Sequence, residues 1–314
     1  MTMTRGRSGE VRAAYVQLVD ALLASGDADA AHRCAALAVE QGIWRHPMQR
    51  PLHYVPDLAP RTVYDPADFW FCAYLEEHFP LIRAELEAVT EPRESGFLTV
   101  EEPLLAAGRW EQVTFYEAGQ RFGDACARFP VTASIIEGIP EATAAGVGVV
   151  TLSWLYPGTR IRPHCGGSNG RLRVHLGLRV PEGARMRVGD QTLTWEEGRC
   201  LVFDDSFEHE VWYDGDRPRV VLLMDVSHPE LDPGLRAQML RGRYSLESRV
   251  SGFLRQRGMR RVEVDGDEVR ALLDEGSASQ VVRYMRECGV RAAELRGETL
   301  VFDDGVPAGP GGSR

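Results

Sequence analysis

Two stretches of this sequence bring a histidine to the end of an extended segment in a setting that suits metal binding. The first is Tyr156-Pro-Gly-Thr-Arg-Ile-Arg-Pro-His164-Cys-Gly-Gly, where a Pro-Gly turn delivers a strand that stops at His164. The second is Trp195-Glu-Glu-Gly-Arg-Cys-Leu-Val-Phe-Asp-Asp-Ser-Phe-Glu-His209-Glu-Val-Trp212, where a Gly turn feeds a strand, then a polar turn, then His209 at the start of the next strand. Two imidazoles on neighbouring strands of a small barrel can meet at one ion, and imidazole suits Fe(II) with coordination positions left open for O2. The usual non-haem iron triad adds a carboxylate two residues after the first histidine, but Gly166 stands there. A lone histidine is more often a satisfied core or surface side chain than a ligand. Here the paired context carries the reading.

The elements that must position these residues are legible in the hydrophobic period. Arg171 to Val180 alternates, with Leu172, Val174, Leu176 and Leu178 on one face and Arg171, Arg173, His175 and Gly177 on the other. From about Trp110 the period is two. Short strands are expected at 113–116, 146–156, 171–180, 186–188, 191–195, 200–203, 209–213 and 219–225, joined by Gly/Asp turns. Such a series makes a sandwich or barrel. The fold class expected is mainly β with flanking helices, around a double-stranded β-helix of the jelly-roll or cupin kind. Residues 1–43 read as a helical hairpin broken at Ser25-Gly26-Asp27, with Asp27 or Asp29 capping the second helix. Residues 44–66 are proline-rich and irregular, and 67–89 form an amphipathic helix. The oxygenase-type domain is placed at 44–232, a helical and α/β extension at 233–306, and a Gly/Pro/Ser tail expected to be disordered at 307–314.

Composition narrows the chemistry further. The formal net charge is -10 over 314 residues, which argues against a broad nucleic-acid surface. All 36 basic side chains are arginine. The absence of lysine excludes P-loop phosphate binding and Schiff-base chemistry, and leaves anionic ligands to arginine, which grips carboxylates in bidentate fashion. The six cysteines have no C-x-x-C spacing and read as reduced, buried side chains. No stretch is long and apolar enough for a membrane span, and the first ten residues lack the apolar run of a secretion signal, so a cytoplasmic location is expected.

Five stretches in order are highly specific: Pro-Gly-Thr-x-x-x-Pro-His164-x-Gly, Arg171-Leu-Arg-Val-His-Leu-Gly-Leu178, Trp195-Glu-Glu-Gly198, Phe203-Asp-Asp-Ser-Phe-Glu-His-Glu-Val-Trp212 and His228-Pro-Glu-Leu231. Through them residues 150–231 resemble the catalytic domain of the aspartyl/asparaginyl β-hydroxylase family. The likeness continues more weakly upstream, through 110–140 and Gln49-Arg-Pro51. It implies Fe(II) bound by His164 and His209 alone, so that Gly166 is expected, with 2-oxoglutarate and O2 as cosubstrates. It maps the 2-oxoglutarate site onto Ser153, Arg173, His175 and Arg219, gives Arg173 a catalytic place beside the two histidines, and makes Arg171 a contact to the prime substrate. The residues agree physically. Arg219 can clamp the distal carboxylate, the Ser153 hydroxyl can add a hydrogen bond, and Arg173 and His175 share the polar face of their strand. Thr151 stands where the family can carry a basic residue. Asp204 and Asp205 are expected to cap a turn and support the ligands, and His228 to be structural. Trp154, Tyr156 and Trp212 fit either the pocket wall or the core. The implied activity is hydroxylation of an sp3 carbon, above all the β-carbon of an Asp/Asn-type residue in a peptide or of a carrier-tethered or free amino acid, with no nucleic-acid or membrane partner. The alternatives are a small specialised metabolite as substrate, or a non-catalytic cupin-like protein that binds a metal or ligand.

Overall fold

The computed structural model describes residues 4–100, 103–143 and 148–232, and four strands between 262 and 303. Strand β1 (Val63–Tyr64) precedes β2 (Leu98–Thr99), β3 (Leu105–Ala107), β4 (Trp110–Glu117) and β5 (Gln120–Arg121). The series then runs β6 (Val149–Leu155), β7 (Arg160–His164), β8 (Arg171–Arg179), β9 (Ala184–Val188), β10 (Gln191–Leu193), β11 (Cys200–Phe203), β12 (His209–Tyr213) and β13 (Arg219–Ser227). Two antiparallel sheets result. The larger has the order β1-β11-β8-β13-β6-β4-β2, with β5 on β4, and the smaller the order β10-β9-β12-β7-β3. From β6 onward the chain alternates between the sheets, with the β9–β10 hairpin as the one double step. This is a double-stranded β-helix, the jelly-roll architecture expected from the many short strands.

The alternation along the strands decides which layer each face joins. Leu172, Val174, Leu176 and Leu178 of β8 and Val220, Leu222, Met224 and Val226 of β13 belong to one apolar cluster. It is completed by helix residues such as Phe71, Leu75, Ile82, Ile135 and Ile136. Val221 and Leu223 of β13 turn the other way, into a second cluster between the sheets with Trp195, Phe203, Phe207 and Val211. The larger sheet is therefore covered on both faces, by helices outside and by the smaller sheet inside. The inward row of β8, which holds Arg171, Arg173 and His175, faces the barrel interior as its period implied.

The hairpin of α1 (Thr4–Ala24) and α2 (Ala28–Glu40) forms as read, with the Asp27 carboxylate accepting from the Ala30 N–H at 3.0 Å. The amphipathic helix appears as α3 (Trp70–Glu87), preceded by a 3-10 turn at Pro66–Asp68. Three short helices, α4 (Gly123–Arg128), α5 (Pro130–Glu137) and α6 (Pro140–Thr143), lie between the strands expected at 113–116 and 146–156, where the sequence reading assigned no element. Each is too short to give a clear 3.6-residue period, and their role is to lay Ala125, Ile135 and Ile136 on the outer cluster. Toward the C-terminus, strands β14 (Val262–Asp265), β15 (Glu268–Ala271), β16 (Ala292–Arg296) and β17 (Thr299–Asp303) form a separate sheet of order β14-β15-β17-β16. The helices expected in the extension and the tail at 307–314 lie outside the described residues. Among the described residues no helix is long and apolar enough to cross a membrane.

The irregular segment 44–62 is a strap across one end of the barrel. Gln49 donates from Nε2 to Asp204 Oδ2 at 2.8 Å and to Ser206 Oγ at 3.1 Å, and Arg50 pairs with Glu208 at 2.8 Å. The His53 N–H reaches the Gly167 carbonyl at 2.9 Å, and the Asn169 amide exchanges hydrogen bonds of 2.7 and 2.9 Å with the backbone of Val55. The strap thus ties the loop that follows His164 to the turn that precedes His209.

Leu176 is fully buried where β8 meets the outer helices. Leu176→Ala is expected to destabilise the protein by about 3 kcal/mol in urea denaturation, since cavity and transfer terms add at such a site.

Candidate metal centre and anion pocket

In the smaller sheet, β12 pairs antiparallel with β7 so that His209 stands directly opposite His164, next to an irregularity in the register. The two imidazoles lie 4.1 Å apart by ring centroid, at 49°. Each ring is oriented by its own strand. His164 Nδ1 lies 2.8 Å from the Arg162 carbonyl, and His209 Nδ1 lies 2.9 Å from the Phe207 carbonyl. A carbonyl only accepts, so both Nδ1 atoms carry the proton and both Nε2 atoms present a lone pair, the tautomer a metal ligand needs. Burial pushes His209 down to about 3, with the neighbouring His164 adding to the effect, and burial lowers His164 as well.

Gly166 has no room for a side chain. A Cβ there would stand 2.5 Å from the Asp205 carboxyl carbon, and the Gly166 N–H bonds the Asp205 carbonyl at 2.6 Å. The space where a third protein ligand would start is filled by Asp205, whose Oδ1 is buried without a hydrogen-bond partner. Burial alone would raise the Asp205 carboxyl, but Arg171 and Arg173 override it and hold the group ionised.

Those two arginines form a closed ring of alternating charge with two aspartates. Arg171 contacts Asp205 at 3.1 Å and Asp225 at 3.2 Å, while Arg173 contacts Asp205 at 3.1 Å and Asp225 at 2.8 Å. Asp225 stands opposite Arg173 on β13, and both face inward. Arg171 and Arg173 therefore face the interior with their charges matched, and neither offers an uncompensated charge.

Arg219 differs. It is 2% exposed, its Nε and Nη1 are buried without partners, and no carboxylate pairs with it among the described residues. Burial lowers it to about 9. Its guanidinium lies 4.4 Å from the centroid of the Trp195 ring. His175 Nε2 is also buried and unpartnered, while its Nδ1 lies 3.0 Å from Trp195 Nε1. Ser153 Oγ accepts from Trp110 Nε1 at 3.1 Å, which leaves its own proton to donate. Ser153 and Gly177 flank Val221 on the inner face, with His175 one row along. Gly177 permits this packing, because a Cβ there would fall 2.3 Å from the Glu196 carbonyl oxygen. The turn bearing Trp195 can approach the sheet only over a glycine. Ser153, His175 and Arg219 thus form a pocket of hydrogen-bond donors with an unmatched positive charge.

Residues 76–229 match the family described as aspartyl/asparaginyl beta-hydroxylase. This part of the chain belongs to that family. Relatives include the human aspartyl/asparaginyl beta-hydroxylase, 38% identical over 229 residues covering 72% of this chain and 30% of the relative. The mouse protein of the same name is 37% identical, with 31% of its length covered. The chain therefore spans about a third of the length of these relatives. A Rhizobium tropici ornithine lipid ester-linked acyl 2-hydroxylase is 36% identical over 54% of this chain and 62% of its own. Among solved structures, a Pseudomonas putida prolyl-4-hydroxylase aligns with 50% of this chain and 99% of its own, at 15% identity and a TM-score of 0.34.

Within the residues that match this family, two participants went unrecognised in the sequence. Asp225 sits at an inward position of β13, where period two would have shown it, but nothing local names Arg171 and Arg173 as its partners. Trp195 was legible only as part of a motif. Conversely, Trp154 packs in the outer cluster, and Tyr156 packs against that cluster and donates to Glu111 at 2.8 Å. His228 is buried against Tyr64 at 2.8 Å, in a structural setting.

Three expectations follow. Gly166→Ala drives a methyl into the clamped Asp205 carboxylate and is expected to destabilise the fold by about 1–3 kcal/mol in chemical denaturation. Burial holds His209 down to about 3 and lowers His164, so the unfolded chain binds more protons than the folded one below its histidine pKa of about 6.5. Stability in urea should then fall as pH drops from about 6.5 toward 3, with no contribution from these groups above that window. For the same reason, metal affinity measured by titration should weaken less between about pH 7.5 and 5.5 than that of an exposed histidine site.

Proposed function

We propose that this chain is an Fe(II)- and 2-oxoglutarate-dependent dioxygenase that hydroxylates an sp3 carbon. The observation that carries the reading is the buried, unpaired guanidinium of Arg219 beside the unpartnered His175 Nε2, on the same barrel interior as two imidazoles with free lone pairs. An orphaned buried cation is costly unless a ligand supplies the anion. A dicarboxylic acid with one end at the metal and the other at Arg219 removes that cost. The donor set fits the group. His164 and His209 would hold Fe(II), Arg219 and Ser153 would grip the distal carboxylate, and His175 would donate to the cosubstrate from Nε2. Arg173 would act through Asp205 and Asp225 rather than as a free carboxylate clamp.

Bound Fe(II), with O2, supplies the oxidising power that couples conversion of 2-oxoglutarate to succinate and CO2 with replacement of a substrate C–H by C–OH. The protein's share is to fix two ligands, orient the cosubstrate and keep water out. Asp205 Oδ1, ionised and without a partner, can accept a proton-bearing group at the centre. The Arg171–Arg173–Asp205–Asp225 ring adds no net charge, so it orders the floor of the prime-substrate site. Arg171 remains the proposed contact to that substrate, since its Nε is buried and unpartnered.

The substrate proposed is an Asp/Asn-type residue in a peptide, or a carrier-tethered or free amino acid, acted on in the cytoplasm. The human relative's name supports a residue of this type. The name of the Rhizobium tropici relative makes an ester-linked acyl chain the second class to test.

Arg219→Met separates this reading from a barrel that only binds metal. Without cosubstrate, the variant should be more stable than the parent by about 1–3 kcal/mol, because an unpaired buried charge is gone. It should bind Mn(II) normally yet lose the rise in melting temperature that 2-oxoglutarate gives the Mn(II)-loaded parent. A parent with no such rise, and no succinate release with Fe(II), would sink the proposal.

A further inference from the structure

Three histidines face the interior of the barrel around the proposed centre, yet they are not equivalent, and what sorts them is the group bonded to Nδ1. For His164 and His209 that group is a backbone carbonyl, at 2.8 and 2.9 Å. For His175 it is the indole N–H of Trp195, at 3.0 Å. A carbonyl has no proton to give and an indole N–H has no lone pair to offer. The first two rings must therefore carry hydrogen on Nδ1 and the third must carry it on Nε2. Burial, with Arg219 and Arg173 nearby, keeps His175 neutral, so the choice is between tautomers and not between charge states.

We infer that Trp195 is a positioning residue that fixes His175 as an Nε2–H donor, and so makes it a neutral partner of Arg219 for a carboxylate. His175 Nε2 is buried and has no partner of its own. A donor in that state is matched by an anionic oxygen, and Arg219, whose unpartnered Nε and Nη1 share the interior, asks for the same ligand class. The indole serves both groups at once. Its N–H sets the proton on His175, and its ring face lies 4.4 Å from the Arg219 guanidinium. Both halves of the pocket, the neutral donor and the cation, are oriented by one side chain that is itself 5% exposed. The turn that carries Trp195 is brought there over Gly177, the close approach described above.

This inference rests on the proposed 2-oxoglutarate site for its functional meaning, but its first test does not. Nitrogen-15 NMR of the metal-free, cosubstrate-free parent protein reports which ring nitrogen of each histidine bears hydrogen. The expected pattern is Nδ1–H for His164 and His209 and Nε2–H for His175. An Nδ1–H form of His175 overturns the inference outright, whether or not 2-oxoglutarate binds. In Trp195→Phe, which keeps an aromatic ring and removes the donor, the His175 Nδ1 resonance should move downfield, toward that of an unprotonated ring nitrogen that accepts no hydrogen bond. An unmoved Nδ1 resonance would also overturn it, since the indole would then not be the group bonded to that nitrogen. In the Fe(II)-loaded enzyme the same variant should raise KM for 2-oxoglutarate by roughly tenfold and leave kcat within about twofold. A fall in kcat with unaltered KM would place Trp195 outside the carboxylate pocket. Should the parent show the expected tautomers yet no 2-oxoglutarate-dependent change in melting temperature, the cosubstrate reading fails while the sorting of the three histidines stands.

Discussion

The antiparallel register of β7 against β12 is the constraint on which the site depends. It sets His164 opposite His209 and, through Nδ1 contacts within each strand, turns both rings so that their remaining nitrogens are available. A slip of one residue would send His209 to the outer face of the small sheet, where Glu210 and Trp212 now stand, because side chains alternate along a strand. The devices that prevent such a slip are spread widely. The strap at 44–62 holds both histidine-bearing loops from outside, and the inner cluster holds β12 from within.

The interior is organised by which charges are matched. Arg171 and Arg173 are balanced by Asp205 and Asp225, so these groups order the sheet without demanding a ligand. Arg219 is left unmatched a few residues away on the same face of β13. The contrast localises the binding of an external anion to one place. Arginine suits both tasks: its fork closes the four-membered ring at distances near 3 Å, and its resistance to deprotonation keeps Arg219 a cation even when buried.

Much of this was legible before the structure. The alternation of Arg171 to Val180 gave the inward row of β8. The two histidine contexts pointed to His164 and His209 meeting on neighbouring strands, and the glycine two residues on to the lack of a carboxylate at 166. Period and turn chemistry are local and survive translation into three dimensions. What could not be read was pairing between distant inward residues. Asp225 with Arg173, Trp195 with His175 and Gln49 with Asp204 join positions from different strands or from the strap, and nothing in any one stretch names its partner. Arg173 shows the consequence. Its place on the polar face was correct, but whether it faces a ligand or a carboxylate of its own chain is decided on β13. The helices at 123–143 escaped because four to eight residues carry too little period to declare themselves beside long strands.

The Asp205 carboxyl group lying over Gly166 bears on how such a centre can evolve. A lineage that holds this arrangement cannot gain a carboxylate side chain at position 166 by one substitution alone. Such a side chain would collide with a group locked by two arginines, and clearing that group first would leave the arginines short of an anion in the interior. Each change is harmful unless the other is already present, so they form an epistatic pair. A glycine at 166 is in that sense locked in, kept by a neighbour that fills the ground beside it.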